Sequence, residues 1–268
     1  MSKSGNFGMA VHQALGFSGL MMRIPKSEAI FWPGCALMNL DTEILEKTLE
    51  ILRRAESEIK LAAGCCSQPT MYLFPEKSEK RQMKLRNLLK EQGVKRIYTA
   101  CPNCTLQLRE LGDFEVYSIW PVLAECLDQA DVETLRGSFV WHDPCPTRKD
   151  LAQQAAVRQI LTLGGYAYME PDHSGEQTRC CGNFHMLRTT DPEKSEKMRK
   201  NRLAELDSRC VIASSCEGCL DAFRSEGRET CHLLELLFGK SKSRGWANRI
   251  KTTKRNPPVK PGVLHMRA

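Results

Sequence analysis

The chain has 268 residues, 41% apolar and 26% charged, which is enough for one large domain or two of about 100–150 residues with a real core. Its net charge of +7 belongs to one end. Nine Lys or Arg and no acid lie between Lys240 and Ala268, and without them 30 basic residues stand against 32 acidic ones. The body is therefore near neutral, so a nucleic-acid partner is not expected, and no run reaches the ~18 apolar residues of a membrane span.

Residues 1–28 read as an N-terminal extension. Asn6, His12 and Gln13 interrupt its apolar residues and no small-residue cleavage site follows, so it does not read as a signal peptide. An apolar run at 29–33 then enters Cys35 and reads as a buried strand. Asp41 is placed to cap a helix on which Ile44, Leu45, Thr48, Leu49 and Leu52 recur at helical spacing. After the adjacent pair Cys65-Cys66, the hexapeptide Pro-Glu-Lys-Ser-Glu-Lys at 75–80 opens a second helix, with proline in its first turn and Gly93 just past its end. A strand at 96–100 delivers Cys101-x-x-Cys104, and an apolar segment at 116–123 follows.

The same order then recurs. A strand at 138–141 enters Cys145, a helix at 148–163 stops at Gly164-Gly165, and Cys180-Cys181 follows. The hexapeptide returns at 192–197, a strand at 210–214 leads to Cys216-x-x-Cys219, and an apolar segment lies at 232–238. Thirty-four residues separate Cys66 from Cys101 and thirty-four separate Cys181 from Cys216, which together with the repeated hexapeptide marks a duplication. The expected fold is α/β: two duplicated Rossmann-like cysteine-rich halves with parallel sheets, at 29–137 and 138–239, followed by a basic tail at 240–268. Cys35, Cys101, Cys145 and Cys216 all follow strands, so the thiols of each half should converge beyond the carboxyl ends of its sheet.

Thirteen cysteines, an odd number containing two adjacent pairs, do not suit a secreted disulfide framework. A reducing, cytoplasmic setting is expected, in which grouped thiols mean metal or redox chemistry. Each half gathers five thiols, one more than a structural zinc takes. Soft thiolates select iron–sulfur clusters or zinc, and neighbouring side chains of an extended Cys-Cys pair diverge enough to wrap a multi-iron group. Iron–sulfur is the first reading, zinc the second and a metal-free dithiol relay the third.

The motifs Pro33-Gly34-Cys35, Cys65-Cys66, Cys101-Pro102-Asn103-Cys104, His142-Asp143-Pro144-Cys145, Cys180-Cys181-Gly182 and Cys216-Glu217-Gly218-Cys219 resemble those of the CCG (cysteine-rich) domain family. That family includes the B subunit of heterodisulfide reductase and iron–sulfur subunits of lactate-utilisation and glycerol-3-phosphate dehydrogenase systems. The resemblance covers about 29–239. It implies two 4Fe-4S clusters of the noncubane type, one held by Cys35, Cys65, Cys66, Cys101 and Cys104 and the other by Cys145, Cys180, Cys181, Cys216 and Cys219. It also implies disulfide/thiol redox chemistry. Ser67 departs from the pattern, standing where the family has glycine.

Neither a ferredoxin-type C-x-x-C-x-x-C run nor a G-x-G-x-x-G follows any strand, so electrons are expected from an iron–sulfur or flavoprotein partner. A small-molecule disulfide or other redox substrate would receive them. The alternative is an electron-transfer component of a dehydrogenase of the lactate or glycerol-3-phosphate type, which touches no substrate; a third reading is a zinc-stabilised scaffold. No catalytic residue is identified. His142 and His185 lie nearest the second set and are candidate proton donors, though a structural histidine is the simpler reading of each. Cys126, Cys210 and Cys231 read as core residues, Asp143 as a turn residue, and Arg148 and Arg179 as surface arginines that an acidic substrate would suit.

Overall fold

The computed structural model describes residues 11–133 and 137–255. They group into two compact units: the residues up to Ser118 together with those from Lys242 on, and Ile119–Ser241.

The first unit carries strands β1 (Ala29–Trp32), β2 (Lys60–Leu61), β3 (Arg96–Thr99) and β4 (Glu115–Ser118), all parallel, in the order β2-β1-β3-β4. Its helices are α1 (Thr42–Ala55), α2 (Gln68–Leu73), α3 (Ser78–Glu91) and α4 (Pro102–Arg109). The second unit opens with α5 (Ile119–Cys126). Strands β5 (Ser138–Trp141), β6 (Ala167–Met169), β7 (Val211–Ser214) and β8 (Thr230–His232) follow, again parallel and in the order β6-β5-β7-β8. Helices α6 (Leu151–Leu163), α7 (Leu187–Thr190), α8 (Pro192–Leu203), α9 (Glu217–Arg224) and α10 (Leu233–Phe238) complete it. The duplicated α/β architecture with parallel sheets is thus as the sequence implies.

Both sheets reverse direction at their centre. From β1 the chain goes outward to β2, then returns to place β3 on the other side of β1, and β5, β6 and β7 do the same. Such a switch point opens a crevice beyond the strand ends. Cys35 and Cys101 follow β1 and β3; Cys145 and Cys216 follow β5 and β7.

The identical hexapeptides fold differently, and the residue before each explains why. Asp191 accepts a hydrogen bond from Lys194 N at 3.1 Å, so α8 begins at Pro192. Phe74 has no side-chain acceptor to offer; its carbonyl takes the bond from Lys77 N at 2.9 Å, and Pro75–Lys77 forms a 3₁₀ turn before α3 begins at Ser78. The helix after Cys145 is shorter than expected for a similar reason. Asp150, not Arg148, provides the cap, accepting from Gln153 N at 3.0 Å, and Cys145–Thr147 is a 3₁₀ turn.

Asp41 does sit at the start of α1, but its carboxylate makes no bond to that helix. It accepts from Ser243 Oγ at 3.2 Å and Asn248 Nδ2 at 3.3 Å instead. Those residues lead into α11 (Trp246–Lys254), a helix within the basic tail that packs on α1, with Thr42 and Thr252 hydroxyls 3.0 Å apart. Residues 256–268 of that tail and 1–10 of the extension lie outside the described residues.

Candidate metal centres

Ten thiols form two sets, one per unit, buried except for the half-buried Cys35 and Cys101. In the first, Cys65, Cys66 and Cys104 belong to the hydrophobic core beneath α3 and α4, and Cys35 and Cys101 pack against it. In the second, Cys145, Cys180, Cys181, Cys216 and Cys219 all belong to the core. None of the thirteen cysteines is joined in a disulfide.

The sulfurs make one hydrogen-bonded chain in each set, in matching order. It runs from Cys35 to Cys65, Cys66, Cys104 and Cys101 in one. In the other it runs from Cys145 to Cys180, Cys181, Cys219 and Cys216. Cys145 Sγ lies 3.6 Å from Cys180 Sγ, far beyond a disulfide bond. Within each chain the first cysteine of the adjacent pair accepts from two thiols. Cys65 is held well below the ordinary thiol range by hydrogen bonds from Cys35 and Cys66, and Cys180 is lowered by Cys145 and Cys181. Their neighbours Cys35 and Cys145 are pushed up by the same contacts and by burial.

The backbone contributes too. Gly182 N donates to Cys180 Sγ at 3.3 Å, and Ser67 N donates to Cys65. Both residues take the left-handed conformation, with φ of 83° and 73°. Ser67 thus reproduces the turn that glycine makes in the second set. Gly34, with φ of 91°, is needed for space as well: a Cβ there would lie 3.0 Å from Cys101 Cβ and 3.1 Å from Cys104 Sγ.

Five contiguous soft sulfurs exceed the four that tetrahedral zinc takes, and suit a larger thiolate-ligated group such as an iron–sulfur cluster. An imidazole nitrogen of His142 lies within 4.8 Å of the Cys181 and Cys219 sulfurs. Arg202 Nε donates to His142 Nδ1 at 3.0 Å. Guanidinium can only donate, so Nδ1 accepts and the neutral ring carries its proton on Nε2. Nε2 is buried and has no partner among the described residues. It therefore presents an N–H, not a lone pair. Burial and the Arg202 charge depress the His142 pKa to about 3, so at neutral pH the ring holds no imidazolium proton to give. His185 is exposed, in a left-handed turn stacked on Phe184.

The second set has an approach from outside. A cavity of about 420 Å³ is lined by Arg148, Arg179, Cys180, Met198 and Asn201. Arg148 is tied to Thr178 O at 2.6 and 2.9 Å, and Arg179 is paired with Glu205. Asp143, read from the sequence as a turn or cap residue, is a buried acceptor that ties its loop to neighbouring elements. Its buried carboxylate accepts two bonds from Arg158, at 2.7 and 2.6 Å, one from Trp141 Nε1 at 2.8 Å and one from Gly175 N at 2.8 Å. Cys210 and Cys231 are buried as expected, and Cys126 is half-buried.

Sequence reasoning missed Arg202, Arg249, His12 and Gln13. Arg202 left one signal: placed in register by the hexapeptides it falls where the first half has Leu85, a core position. The others lie outside both copies and carry no repeat signal.

The family model of the cysteine-rich CCG domain matches residues 29–109 and 139–224. The B subunit of the fumarate reductase (CoM/CoB) of Methanothermobacter marburgensis is 24% identical over 243 residues, covering 84% of this chain and 49% of its own length. The D subunit of the dihydromethanophenazine:CoB–CoM heterodisulfide reductase of Methanosarcina barkeri is 28% identical over 156 residues, covering 53% of this chain and 38% of its own. The chain thus spans half or less of the length of these relatives. Among solved structures, the Picrophilus torridus aspartate racemase aligns over 88% of this chain and 97% of its own at 12% identity and a TM-score of 0.35, too slight a likeness to bear on function. No helix among the described residues is long and apolar enough to cross a membrane. With both copies of the domain matched at the positions of the two thiol sets, the chain belongs to the cysteine-rich CCG domain family.

Proposed function

We propose that this chain is an iron–sulfur oxidoreductase subunit that reduces or forms disulfides with electrons exchanged through a partner protein. Cys35, Cys65, Cys66, Cys101 and Cys104 would hold one 4Fe-4S cluster of the noncubane type, and Cys145, Cys180, Cys181, Cys216 and Cys219 the other. The observation that carries the reading is the pair of five-sulfur chains in the same order, one of which meets an open cavity at Cys180. Such clusters supply one-electron steps that, taken in pairs, convert a disulfide, two electrons and two protons into two thiols. The names of the two relatives, one of which refers to CoM/CoB and the other to the CoB–CoM heterodisulfide, support that substrate class.

The chain's own residues would arrange the second site for this. The cavity admits a substrate sulfur to the side of the cluster that Cys180 holds, and Arg148 and Arg179 give it a cationic rim suited to an acidic thiol. His142 would give an N–H to sulfur and steady the thiolate, leaving the substrate's protons to solvent in the cavity. The cavity favours a substrate-handling role over the relay-only dehydrogenase component, which needs no opening. Thirteen cysteines, an odd number with ten grouped in two metal-binding sets, suit a cytoplasmic, reducing setting.

The test is anaerobic purification with iron, sulfide and zinc analysis, followed by electron paramagnetic resonance of the reduced protein on adding a thiol disulfide. Iron and sulfide near four each per cluster, with reoxidation by the disulfide, is the expected result. Zinc without sulfide would refute the cofactor, and indifference to every disulfide would refute the chemistry.

A further inference from the structure

The two thiol sets are built alike except for their nearest charges. At the second set a histidine–arginine pair lies inside the repeat: His142, at the end of β5, and Arg202, on α8 and fully buried. The sheet register identifies their counterparts in the first copy. Ala29 pairs with Arg96 as Phe139 pairs with Val211, so Trp32 stands where His142 stands in the second copy. The hexapeptides place Leu85 at the Arg202 position. Both are buried apolar residues. The first copy therefore has no internal histidine–arginine pair.

A pair of the same kind is nevertheless present in the first unit, drawn from outside the repeat. Arg249 on α11 donates from Nη1 to His12 Nε2 at 2.9 Å. The Arg249 side chain is 1% exposed, its guanidinium lies 4.7 Å from the centre of a Trp246 ring, and its Nε and Nη2 are buried with no partner among the described residues. Next to His12, Gln13 Nε2 lies 3.5 Å from Cys65 Sγ. A Cβ added at Gly16 would lie 3.3 Å from Cys65 Cβ and 3.5 Å from Arg249 Nη2, so this glycine is the spacer between thiol and guanidinium.

A buried guanidinium with two unmet donors is costly unless an anion faces it. Five thiolates around an iron–sulfur core form a net anion in a dry interior, and the unmet Nη2 lies on the Cys65 side, 3.5 Å from the Gly16 Cβ position that is itself 3.3 Å from Cys65 Cβ. We propose that the basic C-terminal helix is part of the first metal centre: Arg249, braced by His12 and Trp246, is the counter-cation of the Cys35–Cys65 end of the first cluster, as Arg202 with His142 is for the second. The tail is then no mere solvated extension. It completes, from outside the duplication, a site that the first copy leaves without a charge.

This inference rests on reading the first thiol set as an iron–sulfur site. Its test uses the full chain, prepared anaerobically, with Arg249→Gln, Arg249→Lys and Arg202→Gln. Potentiometric titration followed by electron paramagnetic resonance reads each cluster, and release of iron to a chelator reads its retention. A cation stabilises the more negative, reduced form, so Arg249→Gln is expected to weaken reduction of one cluster about tenfold, or about 59 mV for one electron. Iron loss from that cluster should speed up about tenfold. The other cluster, unchanged in the same molecule, reports that the fold is intact. Arg249→Lys should stay near wild type, and Arg202→Gln should move the other cluster. Arg249→Gln moving neither cluster or both alike, or Arg249→Lys failing as badly, would overturn the inference. Wild-type protein without a first cluster would instead refute the underlying cofactor reading.

Discussion

Replacing Ser67 by glycine should stabilise the protein, although it deletes a buried side chain beside the first thiol set. Ser67 holds φ at 73° and is fully buried, with its hydroxyl unpartnered among the described residues. A left-handed backbone costs an ordinary residue roughly 1–2 kcal/mol, and a buried hydroxyl without a partner adds about 1–3 kcal/mol. Glycine removes both but loses about 0.5–1 kcal/mol to its freer unfolded chain. The net gain is on the order of 2 kcal/mol, or about 1 M in urea midpoint at a slope of ~2 kcal/mol/M. Gly182→Ala makes the converse test. Its Cβ would fall 2.3 Å from Ser195 O, on a backbone pinned by Ser195 Oγ donating to Gly182 O at 2.6 Å. Strain and displacement of α8 together should cost about 2–4 kcal/mol. Anaerobic urea unfolding of the reduced, metal-free chain measures both. A midpoint for Ser67→Gly at or below wild type would show that the left-handed turn carries no strain, and the reasoning would be wrong.

Cys180→Ser should cost the second set its cluster while sparing the first, so iron per chain falls by about half; loss of all the iron, or none, contradicts independent sites. Arg158→Met leaves the buried Asp143 carboxylate without its bidentate partner, and should destabilise the chain by about 3 kcal/mol in the same urea assay. His142 binds its proton at about 3 in the folded chain against about 6.5 unfolded. Its contribution is therefore complete above pH 6.5 and is lost as pH falls toward 3, at up to about 1.4 kcal/mol per unit. Wild type should lose about 1 kcal/mol more than His142→Gln between pH 7 and 5.5, and equal losses would mean that the ring titrates normally.

The parts of this molecule legible in its sequence are those written as repeats or as periodic patterns. Four strands are marked by apolar runs leading into cysteines. The short edge strands β2 and β6 are not, because Lys60–Leu61 and Ala167–Met169 bury too little to leave a pattern. The ten thiols are legible because their order, and the spacing of eight of them, is stated twice. The charges beside them are not, since burial reverses the usual meaning of arginine. Arg202 and Arg249 look like surface residues by type and are among the most deeply buried side chains.

That difference bears on how a duplicated site diverges. The adjacent pair and the C-x-x-C recur at identical spacing in both copies, whereas 29 residues separate Cys35 from Cys65 and 34 separate Cys145 from Cys180, so only part of the ligand frame is fixed in register. A counter-cation need only reach the site with its guanidinium, and a long side chain reaches it from any element that packs nearby. The second unit uses the helix after its hexapeptide, whereas the first fills that position with Leu85 and draws Arg249 from a helix 164 positions further along. Most of the ligand frame is held by sequence spacing and the charge by packing. A search of other chains with this cysteine frame should therefore look for the arginine by its burial at the thiols, not by its place in an alignment.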